Sequence, residues 1–379
     1  MSEYQYYEFQ AIDRLLTSKE MSQLRSYSTR ARITPTSFVN DYSWGDFKGH
    51  EDAWMEKYFD AFLYLANWGT HVVKLRLSAR LLDIKTARAY CGGQCVSARE
   101  KSGNVILTFV SEDEEGGGWE EGDGYLSSLM SVRAELSRGD LRALYLGWLL
   151  CAQNGDFEDD DIEPSVPAGL DRLSASLESF VGFLRIDPDL IRVAASASAP
   201  LADAEPKGEE IRAWLANLPA MEKDDLLARI IAGDAALAGE VARRMRQERA
   251  SRDVPAPSFK RRSVAELLAA AERVADERRR VESETRAKKK VEREREAAAA
   301  RAKYLDELAG TEASLWRRVD ELVATKLPKR YDEAVVILSD LRDLSAREDG
   351  SDFRRRLEVL RADHGKKRTL IDRLQKARL

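Results

Sequence analysis

The spacing of apolar positions changes along the chain, and each change marks a different kind of element. Tyr7, Phe9 and Ala11 alternate with Glu8 and Gln10, which predicts an early half-buried strand. Residues 17–26 are expected to be helical, opening on Thr17 or Ser18 with Glu20 in the first turn. Residues 33–42 read as extended, closed by the turn WGDFKG. Met55, Tyr58, Phe59, Phe62 and Ala66 share one helical face, so the spacing predicts a helix from Glu51 to Asn67. HVVKLRL (71–77) alternates as a strand, with Val72 or Val73 starting its buried face. NVILTFV (104–110) is a second strand, paired with VSARE (96–100) across a KSG turn. Asp140 caps a helix from Leu141 to Ala152 that is apolar almost all round, and so central to a core. These elements give an α+β fold that is mostly helical, with a small and mainly antiparallel sheet.

Past Leu170 the period is helical throughout. Leu173, Leu177, Phe180, Val181 and Leu184 form one stripe, and Asp187 with Pro188 at the first helical position starts the next helix. After a polar break near 198–208 come GEEIRAWLANL, stopped by Pro219, then MEKDDLLARIIAGD and AALAGEVARRMRQERA. The linker ASRDVPAPSFKRR (250–262) follows. Residues 263–308 hold no Pro or Gly in 46 positions, which predicts one long helix. Between Glu272 and Glu296, 18 of 25 residues are charged and the apolar stripe shrinks to Val274, Val281 and Val291. Too little remains there to bury, so this stretch is expected in water or against a charged partner. A coiled-coil seam on Leu267, Val274 and Val281 would last about two heptads before meeting Lys288. Leu315, Trp316, Val319, Leu322 and Val323 then restore an apolar face. Helices over 331–346, 352–363 and 369–377 complete a small terminal bundle or α-solenoid fragment. The expected segments are 1–155 (α+β), 170–250 (helical), 263–308 (long charged helix) and 311–379 (helical bundle).

Charge sharpens the division. Residues 1–240 carry 40 acidic and 24 basic groups, a net of −16; residues 241–379 carry 26 and 37, a net of +11. Two acidic loops, 111–124 and 154–169, contribute much of the first figure. The halves therefore face different partners or attract each other. Three cysteines in 379 residues make no disulfide framework, the first residues have no secretory pattern, and the most apolar window, 143–152, is far short of a membrane span. A cytoplasmic protein with no membrane partner is the expectation.

Candidate chemistry is sparse. Cys91-Gly-Gly-Gln-Cys95 has the loop for a metal or redox site but no second pair or near histidine to complete a tetrahedron, so two ordinary cysteines at the end of a short helix are expected. Asp156, Glu158 and Asp160 fit the first, third and fifth positions of a calcium loop, but Asp161 and Pro167 stand where Gly and Glu are needed. No nucleophile elbow, phosphate loop or zinc-protease motif occurs, and no cofactor is expected. His71, beside the Asn67–Thr70 turn, is the histidine best placed for an enzyme site near the acidic loops; its simpler reading is a strand-edge residue. The aromatic cluster around Trp44, Trp54 and Trp68 is expected to pack the sheet. Lys288, Lys289 and Lys290, Arg354, Arg355 and Arg356, and Lys366, Lys367 and Arg368 are the candidate contacts to nucleic acid or a partner. Glutamates interleaved with the lysines cancel much of their field, and no stacking aromatics accompany them.

EYQYYEFQAIDR, RARITPTSFVNDYSWGDFKG and YFDAFLYLANWGT together resemble a widespread family of uncharacterised bacterial proteins, a resemblance that spans the N-terminal segment and implies no catalytic residue. EEIRAWLANLPAMEKDDLLARIIAGD and the segments from YDEAVVILSDLRDL to TLIDRL are similar to helical parts of bacterial SWIM zinc-finger proteins. The CxC…CxH zinc element of those proteins is absent here, so the likeness implies a shared helical module and no metal. The expected function is a non-enzymatic interaction or scaffold protein that uses the long helix as a spacer between an acidic and a basic module. An accessory nucleic-acid binder using the basic third, or an enzyme or metal-dependent site near the acidic loops, are the alternatives.

Overall fold

A computed structural model describes residues 4–45, 47–113, 121–201, 208–234, 237–252, 261–347 and 350–379. Most of the expected 250–262 linker, the middle of the 111–124 acidic loop and most of the polar break near 198–208 lie outside the described residues. Two compact units result, Met1–Arg278 and Arg279–Leu379.

The first unit opens with β1 (Gln5–Gln10), α1 (Ser18–Arg25), β2 (Arg32–Thr34), β3 (Ser37–Tyr42) and α2 (Glu51–Lys57). Then come β4 (Ala61–Ala66), β5 (His71–Ser78), α3 (Ile84–Arg88), β6 (Val96–Lys101) and β7 (Asn104–Ser111). All seven strands join one antiparallel sheet in the order β2-β3-β1-β4-β5-β7-β6. The fold is thus α+β and mostly helical, as its periodicities predict. The β6–β7 hairpin turns on Ser102 and Gly103, both at positive φ (51° and 73°), the primed turn whose twist matches the strands.

Helices α4 (Tyr125–Ser137), α5 (Arg142–Gln153), α6 (Ala175–Leu184) and α7 (Pro188–Ala195) cover one face of the sheet. Leu63, Leu65, Val73, Leu75, Leu107 and Phe109 point into that core with Leu144, Phe180 and Leu190. Because α6 and α7 share this core, no packing boundary separates residues 155 and 170. Arg142 to Ala152 of α5 are buried without exception, as an apolar surface all round requires. Gly147 lets α5 approach the sheet, since a Cβ there would lie 2.7 Å from the Phe109 ring. The opposite face carries Tyr7, Phe9, Phe38, Phe62 and Ile106, closed by α1 and α2. With both faces covered, β1 is buried along almost its whole length and not half-buried as alternation predicts.

The helix expected over Glu51–Asn67 is instead a short helix followed by a strand. The five apolar positions fit a helical stripe, but Ala61, Leu63 and Leu65 fill the opposite core from Phe62, which only period two allows. Thr17 caps α1 in a reciprocal box with Glu20: Glu20 N–H donates to Thr17 Oγ1 at 3.2 Å and Thr17 N–H to Glu20 Oε2 at 2.8 Å. Thr17→Ala is expected to lower stability by about 1 kcal/mol in urea denaturation, with Thr17→Ser nearly silent.

Helices α8 (Gly208–Asn217), α9 (Ala220–Ile231) and α10 (Leu237–Arg252) follow, and then α11 (Val264–Leu308), a continuous helix of 45 residues. Its first turns belong to unit 1, where Val264, Leu267 and Ala271 enter the main core. Glu163, buried in the second acidic loop, anchors that entry. It accepts from Arg262 Nη2 at 3.0 Å and from the Tyr145 hydroxyl at 3.2 Å. Arg278 closes the packed part on buried Asp189, at 2.9 Å. From Asp276 to Ala300 every residue of α11 is exposed.

In unit 2 the last turns of α11 join α12 (Glu312–Ala324), α13 (Pro328–Ser345), α14 (Ser351–His364) and α15 (Arg368–Lys376). Val319, Val323, Leu338, Leu341, Leu370 and Leu374 form their core. Arg301 of α11 pairs with Asp340 at 2.6 Å and Asp343 at 2.7 Å on α13. No described helix is long and apolar enough to cross a membrane.

Candidate functional site

Helix α9 carries an apolar stripe that no described residue covers enough to bury. Leu227, Ile230 and Ile231 stand at i, i+3 and i+4, the spacing of a face meant for burial, yet no residue of α9 is buried. Met221 and Ile231 are each 86% exposed, Ile230 62% and Leu227 57%. Helix α8 adds Ile211 and Leu215, also exposed and one turn apart. Isolated surface leucines are normal, but so many large apolar side chains exposed on two consecutive short helices are unusual.

Polar contacts hold the hairpin in place. Arg229 of α9 reaches Asp234 at 3.0 Å and Glu240 of α10 at 2.6 Å, and Arg80 of the sheet domain reaches Asp234 at 2.9 Å. Arg244 of α10 pairs with Glu222 and stacks over the Trp214 ring, whose Nε1–H donates to Glu248 at 2.9 Å. Trp214 and Leu218 turn inward to bury the inner side of the pair.

The basic residues singled out by sequence do not converge. Lys288, Lys289 and Lys290 lie in the exposed stretch of α11, with Lys290 4.0 Å from Glu294. Arg354, Arg355 and Arg356 each find a partner within the first turn of α14. Arg354 donates to the Gly350 carbonyl at 3.3 Å, Arg355 meets Asp352 at 2.5 Å, and Arg356 meets Asp352 at 3.0 Å and stacks on Trp316. Arg354 lines a concavity of about 490 Å³ with Arg342 and Arg378 over Phe353 and Leu357. Lys367 donates to the Val323 carbonyl at 2.8 Å, closing the end of α12, and Lys366, between α14 and α15, and Arg368, at the start of α15, are exposed.

His71 is engaged at both ring nitrogens. Its Nδ1 lies 2.6 Å from the Phe183 carbonyl and its Nε2 lies 2.9 Å from the Arg185 guanidinium. Only the neutral ring protonated at Nδ1 satisfies both contacts, so His71 is a buried structural link between β5 and α6 and not a strand-edge residue. In the second acidic loop, Asp156 accepts from the Gln94 and Cys95 amides at 3.1 and 3.0 Å, and Asp161 from the Glu158 amide at 2.9 Å. Among the described residues no group of three or more His, Cys, Asp or Glu side chains is placed to hold a metal. Trp54 packs under the sheet as expected, while Trp44 and Trp68 are exposed.

One charged cluster escaped the sequence reading. Lys74 and Arg76, on the strand face opposite Val73 and Leu75, are buried beneath α2. Lys74 reaches Glu51 at 2.9 Å and Asp52 at 2.8 Å, and Arg76 reaches Asp60 at 2.5 Å. The signal lay in the acidic residues of Glu51-Asp52-Ala53-Trp54-Met55-Glu56, which match this basic strand face.

Neither a family model, a curated protein nor a solved structure matches the chain.

Proposed function

We propose that this chain is a cytoplasmic interaction protein that docks a partner protein on the apolar face of α8 and α9, with the solvated stretch of α11 as the charged connector to unit 2. One observation carries the reading: a helix with an apolar spacing and no buried residue, on which Met221 and Ile231 are almost fully open to solvent. The 25 exposed residues from Asp276 to Ala300 support the connector role, since nothing in their composition requires a core. Free thiols at Cys91, Cys95 and Cys151 suit a reducing compartment.

An apolar docking face and a phosphate-binding face respond to salt in opposite ways, and that separates the readings. The full chain, immobilised and exposed to nuclease-treated lysate, is expected to retain a protein whose recovery changes by less than about threefold between roughly 50 and 200 mM salt. Phosphate contacts would instead lose about a thousandfold or more over that range. Retention that collapses with salt, or that requires nucleic acid, overturns the proposal.

A further inference from the structure

Cys95 immediately precedes β6, and Cys151 lies in the last turn of α5, 56 residues later. The fold brings the two sulfurs together. Cys95 and Cys151 lie in one small cluster where the Gly92–Cys95 loop meets the end of α5. The Asn154 side-chain amide also donates to Cys95 Sγ at 3.1 Å, and Cys151 Sγ is 3.1 Å from the Gly92 carbonyl. The loop that carries Cys95 is fixed against the segment after α5. Asp156 accepts from the Gln94 and Cys95 amides, and a Cβ at Gly92 would lie 2.0 Å from the Phe157 ring. At Gly93, held at φ +55°, a Cβ would lie 2.0 Å from the Asp156 carboxyl carbon. Cys95 is partly open to solvent, whereas Cys151 is fully buried.

We propose that Cys95 and Cys151 are a peroxide-reactive dithiol, with Cys95 as the attacking sulfur and Cys151 as the resolving one, closing a disulfide between the loop before β6 and the end of α5. The Cys95 thiolate attacks the O–O bond of a hydroperoxide. Sulfur is oxidised to the sulfenic acid, and the departing oxygen leaves as water or alcohol after taking a proton. Cys151 then displaces the sulfenic hydroxyl, which leaves as water with the proton that Cys151 gives up, and the S–S bond forms. With hydrogen peroxide, two thiols and one peroxide yield one disulfide and two waters.

The electrostatics run in the same direction. The neighbouring Cys151 side chain holds the Cys95 thiol below the ordinary cysteine value, burial opposes this, and Asn154 supports it; Asp156 nearby pulls the other way. Cys91 is the internal control. Burial pushes it up to about 11, and its sulfur is occupied with the Ala87 carbonyl at 3.3 Å. It therefore stays a protonated, slow thiol.

The test uses the full chain, hydrogen peroxide and a thiol count with peptide mapping. Free thiols are expected to fall from three to one, with Cys95 and Cys151 recovered as one linked peptide. Cys91→Ser should behave as the parent. Cys151→Ser should stop at a sulfenic acid on Cys95 that dimedone traps, and Cys95→Ser should slow thiol loss by about tenfold or more. Three thiols that survive peroxide sufficient to oxidise free cysteine would overturn the proposal. A mapped bridge that contains Cys91, or one that joins two chains, would do the same. If Cys151→Ser fails to fold, mapping of the unaltered chain decides alone.

Discussion

Asp60→Ala is expected to destabilise unit 1 by about 3–5 kcal/mol, read as a shift in the midpoint of urea unfolding. The Asp60 carboxylate has no exposure. It accepts from the Ile12 and Asp13 amides at 2.6 and 2.9 Å and from Arg76 Nε at 3.0 Å, while Arg133 stands at 3.9 Å. Truncation leaves Arg76 as an uncompensated buried charge and the part-buried Ile12 and Asp13 amides without acceptors, and the stranded charge costs more than the net value of the bonds themselves. Arg99, a half-buried residue paired with Glu56, provides the contrast: Arg99→Ala is a partly screened loss within about 1 kcal/mol. Acid gives a second route to the same site. Burial works against the charged form of Asp60, but the Ile12 amide, Arg76 and the Asp13 amide hold its titration below the ordinary carboxylate value. A group depressed on folding stabilises above its unfolded value of about 3.9, and that contribution is lost as pH falls from there through the folded value. Unfolding midpoints of the parent should therefore drop steeply below about pH 4, and Asp60→Asn should flatten that part of the curve. A truncation that leaves the midpoint unmoved would show Asp60 to be dispensable.

Asp60 also marks where sequence reading stops. The stripe of Met55, Tyr58, Phe59, Phe62 and Ala66 fits a helix as well as it fits a helix that ends before a buried strand, because Phe59 and Phe62 serve the same core in either case. What decides between them is a pairing partner on each side of β4, which is a long-range fact. Burial of Lys74 and Arg76 was hidden for the same reason: alternation shows two faces, and only the covering helix tells whether the polar one is wet. Helix α4 gave no reading at all, since its polar serines dilute the spacing of Leu126, Leu129, Val132 and Leu136. By contrast, the solvated stretch of α11 was fully legible. A helix without Pro or Gly and without an apolar stripe has no means of burying itself, whatever surrounds it. The candidate site lay between these extremes. The apolar spacing of α9 is plain in the sequence, but a missing cover leaves no trace there. In the run Arg354-Arg355-Arg356 the sequence shows the charges but not their local partners, the Gly350 carbonyl and the Asp352 carboxylate.

Charging the α9 face should abolish partner retention and leave the fold intact. Leu227→Asp combined with Ile231→Asp places two carboxylates at i and i+4, in the centre of the apolar surface. Neither parent side chain is buried, so no cavity forms and the unfolding midpoint should move by less than about 0.5 kcal/mol. Binding responds differently. Large side chains that anchor an interface are worth about 2 kcal/mol or more each, and a carboxylate forced into a dry contact adds a desolvation penalty. Together these predict a loss of at least about a hundredfold in affinity, read by calorimetry or surface capture against the partner retained by the parent chain. Two controls separate surface chemistry from accident. Asp224→Lys and Asp225→Lys change exposed charge on the same helix without touching an apolar contact, and should alter binding by no more than a few fold. Arg229→Ala removes the ion pairs to Asp234 and Glu240 that position α9, so it should weaken both binding and local stability. Full retention by the Leu227/Ile231 double variant would mean that this face meets no partner. It would then be an open apolar surface with no function in recognition, and the connector role of α11 would lose the docking end that gives it a purpose.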